Sequence, residues 1–108
     1  MAILVIRRFD VFRNPDPDTR TRAPYVVVLQ SHHWRALDTT IVAPLFPRDR
    51  CPPDGLIVLS AEVEDEDCSL DLALLANLQS HALRQRVGSL APMEDEIRRG
   101  LERLFTGF

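Results

Sequence analysis

At 108 residues the chain is long enough for one domain with a single modest core and too short for two. Its net charge of −3 comes from 16 acids and 13 bases, every base an arginine and all of them scattered, which excludes the electrostatic footprint of a non-specific nucleic-acid binder. No apolar stretch approaches the roughly eighteen residues of a membrane span, and Ala2 to Ile6 is too short for a signal peptide's apolar region, so a cytoplasmic protein is expected.

Ile3 to Phe12 (ILVIRRFDVF) is dense in β-branched and aromatic residues, with Ile3, Val5, Phe9 and Val11 in alternation, and reads as one long strand or two short ones. Asn14 to Pro24 (NPDPDTRTRAP) holds three prolines and has the composition of a mobile hairpin loop. Tyr25 to Gln30 (YVVVLQ) is a continuous apolar run, which predicts a central strand covered on both faces. Ser31 to Asp38 breaks that pattern and carries the one tryptophan, Trp34. Thr39 to Leu45 (TTIVAPL) reads as another strand, with Pro44 confining that end to a sheet edge or a bulge.

Phe46 to Asp54 is a second irregular connection, and Leu56 to Val63 (LIVLSAEV) a third buried strand. Glu64 to Asp67 places four acids in a row, which repel one another and predict a tight turn in water. From Cys68 to Leu90 the two periods compete: Leu70 and Leu72 alternate as a returning strand would, yet LALLANLQSHALRQR has the composition of a helix. The preceding turn favours a hairpin there.

Met93 to Phe108 carries the strongest periodic signal. Met93, Ile97, Leu101, Leu104 and Phe105 fall on one stripe of a 3.6-residue helix, which predicts a helix over 93–105 with that stripe buried. Pro92 suits the first turn, Glu94, Asp95 and Glu96 sit at the positive end of the dipole, and Glu94/Arg98 and Asp95/Arg99 are acid-before-base pairs at i,i+4. Gly100 inside the helix predicts a close approach by another backbone. Gly107 reads either as the left-handed residue that stops the helix, with Phe108 folded back, or as part of an aromatic tail offered to a partner. Together the elements predict a mainly β (α+β) fold: a small antiparallel barrel-like sheet closed or flanked by one C-terminal helix.

No residues assemble into recognisable catalytic chemistry. The four glycines, Gly55, Gly88, Gly100 and Gly107, are isolated, so no phosphate loop exists, and no serine sits in a nucleophile elbow. His32 and His33 would point to opposite faces of a strand, His81 is distant, and Cys51 and Cys68 lack zinc spacing and read as a loop thiol and a strand thiol. The acids Glu62, Glu64, Asp65, Glu66 and Asp67 lack the calcium-loop spacing. No enzyme, cofactor or metal site is expected; the pattern points to a module that acts by binding.

Three segments in order, FDVFRNP (Phe9 to Pro15), YVVVLQS with IVAPL (Tyr25 to Ser31, Ile41 to Leu45) and VGSLAP…EIRRGLERLFTGF, resemble the CcdB toxins of bacterial toxin–antitoxin systems. The resemblance implies a single 1–108 domain on an SH3-like barrel, residues 1–8 being an N-terminal extension and 106–108 a partner-contacting tail. It also implies a homodimer that binds the DNA gyrase A subunit, traps gyrase on cleaved DNA and is neutralised by a CcdA-like antitoxin. The implied gyrase contacts are Thr106, Gly107 and Phe108, with Leu104 and Phe105 at the adjoining helix end. Thr106 departs from the tryptophan of the family's best-known member. For 74–90 the resemblance implies a strand end and an irregular loop, not a helix. Two alternatives stand beside it. One is a ribonuclease toxin of the MazF/Kid type on the same barrel, with Asp16, Asp18, Arg20 and Arg22 as its clustered candidates; the other is a toxin homologue that no longer poisons gyrase.

Overall fold

In the computed structural model, which describes residues 5–31 and 38–107, the fold is built outward from Tyr25–Val28, hereafter β2. All four residues are buried because the strand alternates between two cores: Tyr25 and Val27 enter one with Leu45, Leu70 and Ile97, while Val26 and Val28 enter another with Phe12, Val42 and Leu83. A run of apolar residues without alternation therefore marks a strand packed on both faces, as expected.

Six further strands complete one curled antiparallel sheet: β1 (Asp10–Arg13), β3 (Thr39–Pro47), β4 (Val58–Val63), β5 (Glu66–Asp71), β6 (Ala76–Gln79) and β7 (Arg86–Ser89). The order is β4-β5-β3-β2-β1-β7, with β6 pairing β3 beside β5. β3 is long enough to serve two partners on one side, Thr39–Val42 pairing β6 and Leu45–Pro47 pairing β5. Pro44 falls in the gap between them. Ile41 O faces β2, where it accepts from Leu29 N–H, so the backbone of Pro44, three residues on, faces the unpaired gap and no ladder bond is lost.

The first strand is shorter than its composition suggests. Val5 to Phe9 is not strand, Val5 is exposed, and residues 1–4 lie outside the described part. Phe9 takes a left-handed φ of 73°, rare for a bulky residue, yet stays bonded: its N–H donates to Val28 O at 2.7 Å and its carbonyl accepts from Leu90 N–H at 2.8 Å. The 14–24 loop, expected to be mobile, is organised by the buried Asn14. Its Nδ2 donates to Thr19 Oγ1 at 3.0 Å and Ala23 O at 2.8 Å, and its Oδ1 accepts from Asp16 N–H.

β4 is half-buried rather than buried throughout, since Leu59, Ala61 and Val63 face the core while Ser60 and Glu62 face water. The acidic turn after it contains only Glu64 and Asp65, with φ of 51° and 64°, the positive pair that a two-residue hairpin requires; Glu66 already belongs to β5. The 74–90 segment is not helical. It contains β6, a 3₁₀ turn at Ser80–Ala82 and β7, more strand than the family resemblance implied.

Three side-chain contacts brace the sheet. Glu64 at the β4–β5 turn accepts from the Tyr25 hydroxyl at 2.9 Å and pairs with Arg13 at 3.0 Å, linking that hairpin to β1 and β2. On the other side Arg86 on β7 pairs at 3.0 Å with the buried carboxylate of Asp10 on β1. The helix α1 (Glu94–Thr106) then covers the first core through Ile97.

Candidate functional site

The C-terminal half of α1 is where the sequence pattern and the packing diverge. At its start, a 3₁₀ turn (Ala91–Met93) containing Pro92 leads into a first turn of Glu94, Asp95 and Glu96. Of the two i,i+4 pairs, Glu94–Arg98 closes at 3.7 Å and Asp95–Arg99 does not close. Ile97 is fully buried, and Gly100 lies against the sheet so closely that a Cβ there would stand 2.5 Å from Leu72 Cδ1 and 3.1 Å from Leu56 O. The close backbone approach predicted at Gly100 is thus present.

The prediction that the whole stripe is buried fails beyond this point. Leu101 and Leu104 are half-buried, and Phe105 is 70% exposed. Phe105 lies eight residues past Ile97, about 12 Å along the axis, where the helix has outrun the sheet that supports it. The exposed end is nevertheless held in a fixed direction, because Arg103 Nη1 donates to Leu56 O at 3.1 Å.

The last residues are shaped by the helix itself. Thr106 Oγ1 donates to Glu102 O at 2.6 Å, so the hydroxyl is spent within the helix. Gly107 has φ of 81° and donates its N–H to Arg103 O at 2.9 Å, which is the helix-stopping role read from the sequence. Leu104, Phe105, Thr106 and Gly107 are therefore gathered at one helix end, and Phe108 lies outside the described residues.

One residue at this end was not foreseen. A shallow hollow of about 280 Å³ beside Phe105 is lined by Leu101, Glu102, Phe105 and Thr106 of the helix, and by Arg98 and Arg8. Arg8 arrives there because of the kink at Phe9; its Nε donates to Leu29 O at 3.2 Å and its guanidinium stacks 4.6 Å from the Phe9 ring. The family resemblance assigns Arg8 to an N-terminal extension, whereas the reversed φ of Phe9, invisible in composition, turns the chain so that Arg8 lies at the helix tip.

Other candidates are dispersed. Asp16 accepts from Asp18 N–H and Thr19 Oγ1, which commits its carboxylate to the loop's own turn. Asp16 and Arg22 line an apolar groove of about 340 Å³ over Val26, Val42 and Phe46, Arg20 lines a different cleft, and Asp18 lines neither. Only Asp16 and Arg22 share a groove, so the four candidates of a ribonuclease site are not brought together. Cys51 and Cys68 are free thiols, one in a loop and one in β5, each pushed above the ordinary thiol range chiefly by burial and further by neighbouring carboxylates. Among the described residues no three His, Cys, Asp or Glu side chains converge to hold a metal, and no helix is long and apolar enough to cross a membrane. His32, His33 and Trp34 lie outside the described residues.

The family model for the CcdB protein matches residues 8–107. The chain is a member of the CcdB family. The match begins at Arg8, the first residue of the helix-tip hollow, and runs to Gly107. Comparison with curated proteins gives no match. At the level of the family, membership makes this chain a toxin of a toxin–antitoxin pair, of the gyrase-poison kind.

Proposed function

We propose that this CcdB-family chain acts as a homodimer that presents its two helix ends to the DNA gyrase A subunit and traps gyrase on cleaved DNA, until a cognate antitoxin removes it. The contact residues are Leu104, Phe105, Thr106, Gly107 and Phe108, and the protein acts by binding rather than by catalysis. The supporting observation is Phe105: a large aromatic ring 70% exposed on a helix that is anchored a turn earlier at Gly100. An aromatic on a rigid support is the kind of residue that carries binding energy at a protein interface, because little side-chain freedom is lost on docking. Thr106 offers only a methyl where the best-known family member has an indole, which lowers the contact energy by about 2–3 kcal/mol and leaves Phe105 as the main anchor.

The test is a cleavage assay. Purified protein mixed with gyrase and supercoiled plasmid, then treated with detergent and protease, gives linear DNA if the reading is right. Unchanged plasmid with excess protein would remove gyrase as the target and leave the homologue without that activity.

A further inference from the structure

Away from the helix tip, three arginines converge on one hollow. A cleft of about 260 Å³ is lined by Arg13 at the end of β1, by Pro15, Arg20 and Pro24 from the 14–24 loop, and by Arg84 and Gln85 just before β7. No carboxylate is among its lining residues. Arg13 is paired with Glu64 on its far side, but Arg20 and Arg84 have no carboxylate partner among the described residues, so three like charges share a cleft that an anion would relieve.

The cleft is held by the fold. Arg13 N–H donates to Gln85 O at 3.0 Å, which fastens the two walls together, and Asn14 N–H donates to Pro24 O at 2.9 Å, which closes the neck of the loop. Arg84 is oriented by its Nε donating to His81 O at 3.3 Å, so its terminal nitrogens are left for a ligand. Arg13 gives Nη2 to Glu64 and keeps its other donors, while Arg20, whose backbone N–H donates to Asp16 O at 3.0 Å, makes no side-chain hydrogen bond or ion pair with any described residue. Guanidinium forks of this kind match phosphoryl oxygens two at a time.

The shape selects the size of the anion. A nucleic-acid strand needs a stripe of cations along its backbone and aromatic faces for its bases, and this lining supplies one compact cluster and no aromatic ring. We infer that the cleft binds a small anion carrying two or more phosphoryl groups, such as pyrophosphate or the phosphate tail of a nucleotide. The site shares no residue with the helix-tip hollow and does not depend on the gyrase reading.

Titration calorimetry of the full chain with pyrophosphate at low salt tests this, with orthophosphate and a nucleoside diphosphate as parallel arms. The expected result is saturable binding of pyrophosphate at one site per chain, weakened about tenfold or more in R20Q/R84Q and unchanged in R50Q, which loses the same single charge as R20Q but elsewhere. The nucleoside diphosphate binds like pyrophosphate if the phosphates alone are read. R20Q by itself removes no hydrogen bond within the fold and shows the same direction of change. No saturable binding, equal weakening by R50Q, or an oligonucleotide or acidic peptide that binds the cleft while pyrophosphate does not, overturns the inference.

Discussion

A methyl group at Gly100 tests how tightly the helix is seated. Helix propensity alone would favour Gly100→Ala by about 1 kcal/mol, but the new Cβ would stand 2.5 Å from Leu72 Cδ1 and 3.1 Å from the Leu56 carbonyl. Overpacking wins, and G100A is expected to lower stability by about 1–3 kcal/mol in urea unfolding. Asp65 presents the opposite case: its φ of 64° is one that glycine adopts without strain, so Asp65→Gly should raise stability by about 0.5–1 kcal/mol in the same assay. The Tyr25 hydroxyl, buried and donating to Glu64, is pushed up from 10.0 to about 12, burial being the larger cause. The folded state therefore holds this proton more tightly than the unfolded chain does. Its contribution to stability is complete below pH 10 and is lost as pH rises toward 12, and ultraviolet titration of the phenolate should show the late transition in wild type and an earlier one in Glu64→Gln. These residue-level devices were only partly legible in the sequence. Gly100 announced itself as a misfit in a helix, whereas Glu64 was hidden in a run of acids that composition alone assigns to water. Phe9 was hidden too, because no propensity predicts a buried aromatic with reversed φ.

Within α1 the same apolar stripe has two roles, and Ile97 and Phe105 divide them. Ile97 is fully buried in the core shared with Tyr25 and Leu70, so Ile97→Ala should cost about 2–5 kcal/mol. Phe105→Ala should leave stability within about 0.5 kcal/mol of wild type, because the ring is 70% exposed. Periodicity showed the helix and the face that is apolar. It could not show how far along that face the sheet extends, since this depends on where β4 and the Leu56 loop end in space. The strands followed the same rule: β2 was legible from its unbroken apolar run, and β3 from its β-branched residues and Pro44. The 74–90 segment was not, because Leu72 and Leu83 are buried while Leu74 is exposed, a pattern that fits neither period. Its structure is imposed by pairing with β3 and β1, which are distant in sequence.

For the whole molecule, the account rests on an anchored helix whose exposed end is offered to another protein. Sedimentation of the 12.3 kDa chain should give twice that mass, placing two such ends in one particle. Replacing Thr106 with tryptophan, the residue of the family's best-known member there, should tighten the gyrase contact by about 2–3 kcal/mol without disturbing the fold, since the Thr106 hydroxyl bonds only to its own helix. The most direct measurement is the affinity of the purified protein for the gyrase A subunit, wild type beside Phe105→Ala. The account predicts saturable binding that Phe105→Ala weakens about thirtyfold or more, with the thermal midpoint unchanged. Equal affinity in the two proteins, or no binding by the wild type, would contradict it.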